Sequence, residues 1–278
     1  MLISRRAFLS NTIKGAVLVS AGNVLQAYDA AAYGLPPAKK VKLRFAVASD
    51  GHYGQPKTDF AAMHQQMLQW LNAEKSGRGL EFSFINGDLY HDDVNVVSDL
   101  KKHWDQLSMP YYVSHGNHDH GPEADWEKTW GHAWHYGFTN KDAGFVVLNT
   151  ADETGKYVSP DPEKTKALLE EYKTQNQLFV FMHITPIKWT DNANPCPDIV
   201  AMLSAQQNLK AVFHGHDHDQ DGYKEQDGKH YIFDSHIGGS WGTAYRGYRI
   251  VEVLKNGDIL TYQMNPGTNV QVNNKQLS

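Results

Sequence analysis

The sequence predicts an α/β fold whose sheet is parallel at first and antiparallel or mixed later, and three observations carry that expectation. Stretches with strand spacing alternate with stretches of helical spacing through the first two thirds of the chain. Residues 229–264 read instead as strands joined by tight turns such as Asn256-Gly257. Islands of Asp, Asn, Gly and His follow strand-like stretches, and the carboxyl ends of strands are where open α/β sheets place their ligand sites.

The elements follow in order. Val41, Leu43, Phe45 and Val47 alternate with other residues up to Asp50, which predicts a strand. Phe60, Met63, Met67, Leu68 and Leu71 have helical spacing, and Leu80 to Ile85 forms a second strand. Val96, Val97, Leu100, Trp104 and Leu107 again follow a helical period, before a third strand from Pro110 to Ser114. A strand is expected at 144–149, then a helix near 161–174 with Ser159 or Asp161 as its cap and Pro162 in its first turn. Strands at 178–183 and 209–214 complete the alternation. The Met and aromatic residues of the two early helices read as core. No internal repeat and no linker interrupts the stretch, so one domain is expected over residues 41–266, with a polar tail at 267–278.

The amino terminus reads as an address rather than structure. Ser4-Arg5-Arg6-Ala7-Phe8-Leu9-Ser10 resembles a twin-arginine export motif, departing from it only at Ser10. The apolar stretch from Gly15 to Leu25 suits the central region of a signal peptide and falls short of the ~18 residues that a membrane-spanning helix needs. Small residues suited to cleavage follow at Ala27 and at Ala30-Ala31-Ala32. Residues 1–32 are therefore expected to be a signal and cleavage region, and residues 33–40, with Pro36-Pro37, a linker. The expectation is a periplasmic protein, exported folded by the twin-arginine machinery and not held in the membrane. A mature chain still beginning near Met1 would contradict it.

Bulk properties exclude several classes of function. The 278 residues carry a formal charge of −5, and removing residues 1–27, with Arg5, Arg6, Lys14 and no acid, takes it to −8. Nucleic-acid backbones are bound through clustered Lys and Arg, so this acidic balance argues against nucleic-acid partners. The single Cys196 excludes an intramolecular disulfide, cysteine-rich zinc sites and paired-cysteine redox chemistry.

Five islands carry the chemistry: Asp50-Gly51-His52, Gly87-Asp88, Gly116-Asn117-His118-Asp119, the lone His183, and Gly215-His216-Asp217-His218. Residues i and i+2 of an extended chain share a face, so Asp50 with His52, and His216 with His218, are each expected to aim two ligands into one volume. Oxygen and imidazole ligands without cysteine suit Mn, Fe or Zn. Seven ligands are too many for one tetrahedral zinc and about right for two metals. Any single island is more often an ordinary polar turn; five at strand exits in this order reverse that reading.

Together the islands resemble the pattern D-x-H, G-D, G-N-H-[DE], H, G-H-x-H of the calcineurin-like metallophosphoesterases, over about residues 41–250. The resemblance implies a four-layer α/β/β/α sandwich with mixed sheets around two divalent metal ions. It implies that Asp50, His52, Asp88 and His218 hold the first ion, and that Asp88, Asn117, His183 and His216 hold the second, with Asp88 bridging. Two divalent ions, two carboxylates and a bridging hydroxide leave a net charge near +1, suited to an anionic phosphoryl group; a carboxylate in place of Asn117 would cancel it. Two metals ~3.5–4 Å apart can activate a bridging water and clamp the transferring oxygens. His118 resembles the family's catalytic histidine, expected to serve the leaving oxygen, with Asp119 orienting its imidazole.

Purple acid phosphatases resemble this layout but carry a G-D-x-x-Y tyrosine and lack the D-x-H histidine. Here His52 is present and His91 stands at the tyrosine position, so no tyrosinate-to-iron colour is expected. His91, Asp92 and Asp93 are candidates for the substrate mouth or for a solvated loop. His115 and His120 are expected to support neighbouring ligands by hydrogen bonds, while His132, His135, His230 and His236 read as surface or structural. Gly238 to Tyr248 is expected to form a β-hairpin with packed Trp241 and Tyr245; its alternative is a pocket wall with Arg246 or Arg249 meeting phosphate. Loops at 53–60, 89–96, 120–142 and 184–200 are expected to select the substrate, a small phosphomonoester or phosphodiester such as a nucleotide. The rival readings are a nuclease of the same family, which lacks its basic groove here, and a degenerate binding scaffold, which would have lost ligands.

Overall fold

The computed structural model describes residues 40–264 and 274–277; the expected signal region, nearly all of the expected linker and most of the expected polar tail lie outside them. Two six-stranded sheets face each other, and helices cover both outer faces. The first sheet runs β12-β11-β10-β1-β2-β3 and the second β4-β5-β6-β7-β9-β8. In the first, β1 (Val41–Ala48), β2 (Phe82–Asn86) and β3 (Tyr111–Ser114) are parallel. There β10 (Tyr248–Leu254), β11 (Ile259–Met264) and β12 (Asn274–Leu277) extend the sheet antiparallel from β1. In the second, β5 (Ala143–Val147), β6 (Gln177–Phe181), β7 (Leu209–His214) and β9 (Lys229–Phe233) are parallel. Antiparallel edges, β4 (Tyr136–Asn140) and β8 (Tyr223–Gln226), close that sheet. The expected mixed α/β sandwich of four layers is what the chain forms.

Every residue of β2, β5 and β6 is buried, as strands covered on both faces must be. Between the sheets lies an aromatic core. Phe45 stacks on Phe82 at 5.0 Å, and Phe84 stacks on Phe181 of the opposite sheet at 3.6 Å. On the outer face of the first sheet pack α1 (Phe60–Arg78), α2 (Val97–Trp104) and α3 (Glu123–Trp130), through Met67, Leu71, Leu100, Trp104 and Trp126. On the second sheet pack α4 (Pro162–Glu171) and α5 (Pro197–Ser204), through Leu169, Ile199 and Leu203. The caps follow local chemistry: the Asp59 carboxylate accepts from Ala62 N at the start of α1, and Asp161 accepts from Lys164 N at the start of α4.

Some elements escape the sequence patterns. The 120–142 loop contains α3 and β4, and α5 sits just past the 184–200 loop's proline-rich middle. Only Trp126 of α3 is buried, so it shows no apolar stripe, and β4 is a half-exposed edge strand. Residues 238–247 form bends rather than the expected hairpin.

Behind α1 lies a buried ionic cluster. Glu252 on β10 accepts from Arg44 Nε at 2.7 Å and from Arg78 Nη2 at 2.6 Å, while Glu74 meets Arg78 Nη1 at 3.1 Å. The cluster welds the end of α1 to the centre of the first sheet. Replacing Glu252 by Ala removes the carboxylate that two guanidinium groups share, and removing one partner of a buried pair costs about 3–5 kcal/mol. Thermal unfolding of Glu252→Ala is expected to fall by about 10 °C; an unchanged melting temperature would show that the cluster contributes nothing.

Candidate metal centre

All five islands stand just past the carboxyl ends of β1, β2, β3, β6 and β7. Sheet topology thus brings residues separated by up to 168 positions, from Asp50 to His218, to one edge of the sandwich. Asp50 and His52 converge as expected, whereas His216 and His218 fall into different clusters, and neither pair is aimed by extended backbone. Asp50, His52, Asp88 and His216 have φ of 57°, 45°, 50° and 66°, in the left-handed region that residues with a Cβ rarely adopt. The chain turns sharply at each exit, and the turn rather than strand alternation aims the side chains. Such backbone costs of order 1–3 kcal/mol per residue and concentrates at functional sites. Two glycines permit the crowding: a Cβ on Gly116 would overlap the amide and carboxylate of Asp88, and one on Gly215 would overlap Ser49 Oγ and press on Asp50.

Two clusters result. Asp50, His52 and His218 bring ligand atoms within 4.8 Å of one another, and so do Asp88, His183 and His216. Within the first, His218 Nε2 lies 3.1 Å from Asp50 Oδ1 and 3.0 Å from His52 Nε2. Asp88 stands between the clusters, its Oδ2 3.6 Å from His52 Nε2 and 3.2 Å from His183 Nε2. The Gly116–Asp119 turn is locked onto it, because His118 N donates to Asp88 Oδ1 at 2.8 Å.

Three atoms in this region are buried without a hydrogen-bond partner: Asn117 Oδ1, His183 Nε2 and His216 Nε2. His183 Nε2 lies 3.2 Å from Asp88 Oδ2. Its Nδ1 donates to Asn86 O at 2.7 Å, and His218 Nδ1 donates to Trp241 O at 3.3 Å. That arrangement directs the Nε2 lone pair of each ring inward, the usual means by which ligating imidazoles are oriented. Buried polar atoms left without partners beside buried carboxylates are unfavourable unless a cation completes them. The donor set fits two divalent ions.

Electrostatics support the fit. Burial pushes the Asp50 and Asp88 carboxyls up, but the neighbouring His218 and His183 outweigh it and hold both well below the usual carboxylate range. Burial pushes His183 down, yet Asp88 and Asp50 carry it up to about 10, so its Nε2 offers a lone pair only when a cation takes the place of that proton. Burial takes His52 down to about 3 and His216 to about 4, aided by nearby imidazoles, so both stand as neutral lone-pair donors. The carboxylates demand positive charge at their centre, and metal ligation needs these imidazoles deprotonated.

A family model for calcineurin-like phosphoesterases matches residues 43–220. The chain belongs to that family. Among solved structures, a dimetal phosphatase from Danio rerio superposes with a TM-score of 0.63 at 13% identity, over 86% of this chain and 99% of that one. A Staphylococcus aureus protein described as a 5′-nucleotidase superposes with a TM-score of 0.54 at 12% identity, over 82% of this chain and 55% of that one. No curated protein sequence matches it.

Around the centre of this calcineurin-like phosphoesterase, one expected contact is replaced. Asp119 does not orient His118. Its buried carboxylate accepts Tyr90 N at 3.0 Å and Gly116 N at 2.9 Å, closing the two loops on each other. The tight turn at 116–119 points the Asp119 carboxylate back at backbone, so it cannot reach the His118 ring. The acid on His118 is Asp92, whose Oδ1 lies 2.7 Å from Nδ1. Asp92 was visible only as one of several mouth candidates, because pairing with His118 depends on the fold of two loops. His91 takes part as well: its Nδ1 is 2.9 Å from His52 Nδ1, and its ring stacks on His118.

Other polar residues have structural partners. His115 bridges Asn149 Oδ1 and Asp119 O. Arg249 is buried and bound to Asp234 at 2.6 Å, which removes it as a phosphate ligand. His236 is not a surface residue: it is buried, stacks on His218 at 5.0 Å and holds Gly238 O and Thr243 O. The 184–200 loop is pinned to the last island, where Thr190 Oγ1 and Asn192 Nδ2 donate to Asp217.

Asp92 and Asp119 are therefore expected to separate in their effects. Asp92→Asn should lower kcat by about 10-fold or more and alter the pH profile, leaving the melting temperature within about 2 °C. Asp119→Asn should lower the melting temperature more than Asp92→Asn does, since one buried acceptor becomes a donor facing N–H groups. The reverse pattern would restore Asp119 as the group that orients His118.

Proposed function

We propose that this chain hydrolyses a small phosphomonoester or phosphodiester at a dinuclear metal centre. The observation that carries the reading is the pair of clusters, Asp50-His52-His218 and Asp88-His183-His216, with Asp88 Oδ2 3.6 Å from His52 Nε2 in one and 3.2 Å from His183 Nε2 in the other. Asp50, His52, Asp88 and His218 would hold one ion; Asp88, Asn117, His183 and His216 would hold the other. Mn, Fe and Zn all suit these ligands. When bound, two such ions supply a water acidic enough to ionise near neutral pH and positive charge for the phosphoryl oxygens.

The chain's own residues supply the rest. His118 is part-exposed at the mouth, with Nδ1 held by Asp92. That contact fixes the ring, so Nε2 is left to pass a proton to the departing oxygen, a contribution of typically 10²–10⁴-fold. The amides of His118 and His216 donate to Asp88 and Asp50, so neither carboxylate can swing out of its place. The buried His52 and His183 close the floor of the site against bulk water. The export signal expected in residues 1–32 would place this activity in the periplasm.

The test is a turnover panel of phosphomonoesters and phosphodiesters with protein reconstituted in turn with Mn, Fe and Zn, run beside Asp88→Asn. At least one ester class should be hydrolysed, and Asp88→Asn should lower that rate by more than about 100-fold. Failure to hydrolyse any ester in the panel, or full activity in the variant, would refute the proposal.

A further inference from the structure

Val94, Tyr157 and Trp241 are the exposed large apolar side chains among the described residues, and two of the three lie against histidines of the metal centre. Tyr157 sets its edge to His216, with ring centroids 5.0 Å apart. Trp241 is 45% exposed and lies parallel to His218, centroids 4.5 Å apart and planes 9° apart. It also contacts the His52 ring at 5.0 Å. A Trp side chain gains much by burial, so an indole left half in water at the lip of a reaction centre invites a partner.

The loop that carries the indole is held in place. Trp241 O accepts from His218 Nδ1, and Thr243 N donates to His218 O at 2.8 Å. His236 grips the loop on either side of the indole through Gly238 O and Thr243 O. Gly242, at φ 118°, passes so close to His218 that a Cβ there would stand 2.5 Å from the His218 Cβ. A fixed aromatic face loses little freedom when a ligand stacks on it.

Its position selects the part of the substrate it would meet. The His52 ring touches both Trp241 and His118, with centroids 5.0 Å and 4.8 Å away. His118 serves the departing oxygen, so Trp241 flanks the leaving alcohol rather than the phosphoryl group. Tyr157 stands by His216, in the other cluster.

We propose that Trp241 is a specificity-determining platform on which a planar ring of the leaving alcohol stacks. The inference rests on the phosphoester reading above and names its substrate class: esters whose alcohol carries a flat π-system, either a nucleoside base or an aryl group. Stacking of a base on one aromatic side chain changes affinity by about 5–150-fold when the side chain is removed.

The test is calorimetric binding to the Mn-loaded full chain, with non-hydrolysable phosphonates whose ester oxygen is replaced by methylene. Benzylphosphonate and the corresponding adenosine 5′-methylenephosphonate carry planar rings; cyclohexylmethylphosphonate has similar bulk to the benzyl compound but no flat face. At least one planar probe should bind about 10-fold or more tighter than the cyclohexyl probe. Trp241→Ala should bring that ratio to within about 2-fold, and Trp241→Phe should keep most of it. The tighter of the two planar probes tells a nucleoside from a simple aryl alcohol, and either result supports the platform. Equal binding of flat and non-flat probes, no binding of any planar probe, or a preference that survives Trp241→Ala would overturn it. Ester turnover without ring preference would leave the phosphoesterase reading standing and remove the platform. Ring preference without turnover of any ester would do the opposite.

Discussion

Two carboxylates, Asp50 and Asp88, are buried at the meeting edge of two sheets, and the architecture around them exists to keep them there. Burial of negative charge is costly unless positive charge or hydrogen bonds compensate it. Backbone amides from the third and fifth islands supply part of the compensation, at His118 N and His216 N. The imidazoles of His183 and His218 supply more. Asn117 Oδ1 and His216 Nε2 remain buried without a partner. The left-handed backbone at Asp50, His52, Asp88 and His216 is tolerated because the surrounding sandwich over-determines it.

That constraint orders the rest of the molecule. Parallel pairing of β1, β2 and β3, and of β5, β6, β7 and β9, sends every island to the same edge. The aromatic core between the sheets fixes the spacing of the two strand sets, so the separation of the ligand clusters is set by packing far from the chemistry. Around the rim, Asp92, His91 and His236 orient the histidines that face the site. Loops 184–200 and 238–243 are both tied to the last island, so their placement and that of the candidate ligands His216 and His218 depend on one turn.

Much of this was legible in the sequence. The alternation of Val41 to Val47, the helical spacing of Phe60 to Leu71 and the buried run of Leu178 to Phe181 all led to the right elements, because each has a strong period or a continuous apolar stretch. Six of the seven proposed ligands fall into two clusters, and Asn117 lies with its Oδ1 buried and unpartnered. What escaped the sequence has physical reasons. α3 and β4 bury too little of their surface to leave a pattern. The choice between Asp92 and Asp119 turns on the direction of one side chain at a tight turn, which no residue spacing encodes. His236 is an isolated histidine in sequence and becomes a support for His218 only once the Gly238–Thr243 loop folds over it.

The claim beneath all of this is that Asp88 faces two cations at once. Metal content by plasma mass spectrometry, joined to anomalous diffraction from Mn- or Zn-loaded crystals, tests it most directly. The account predicts close to two ions per chain, with one anomalous peak on each side of the Asp88 carboxylate. A single ion or none at saturating metal, or peaks remote from Asp88, would contradict it.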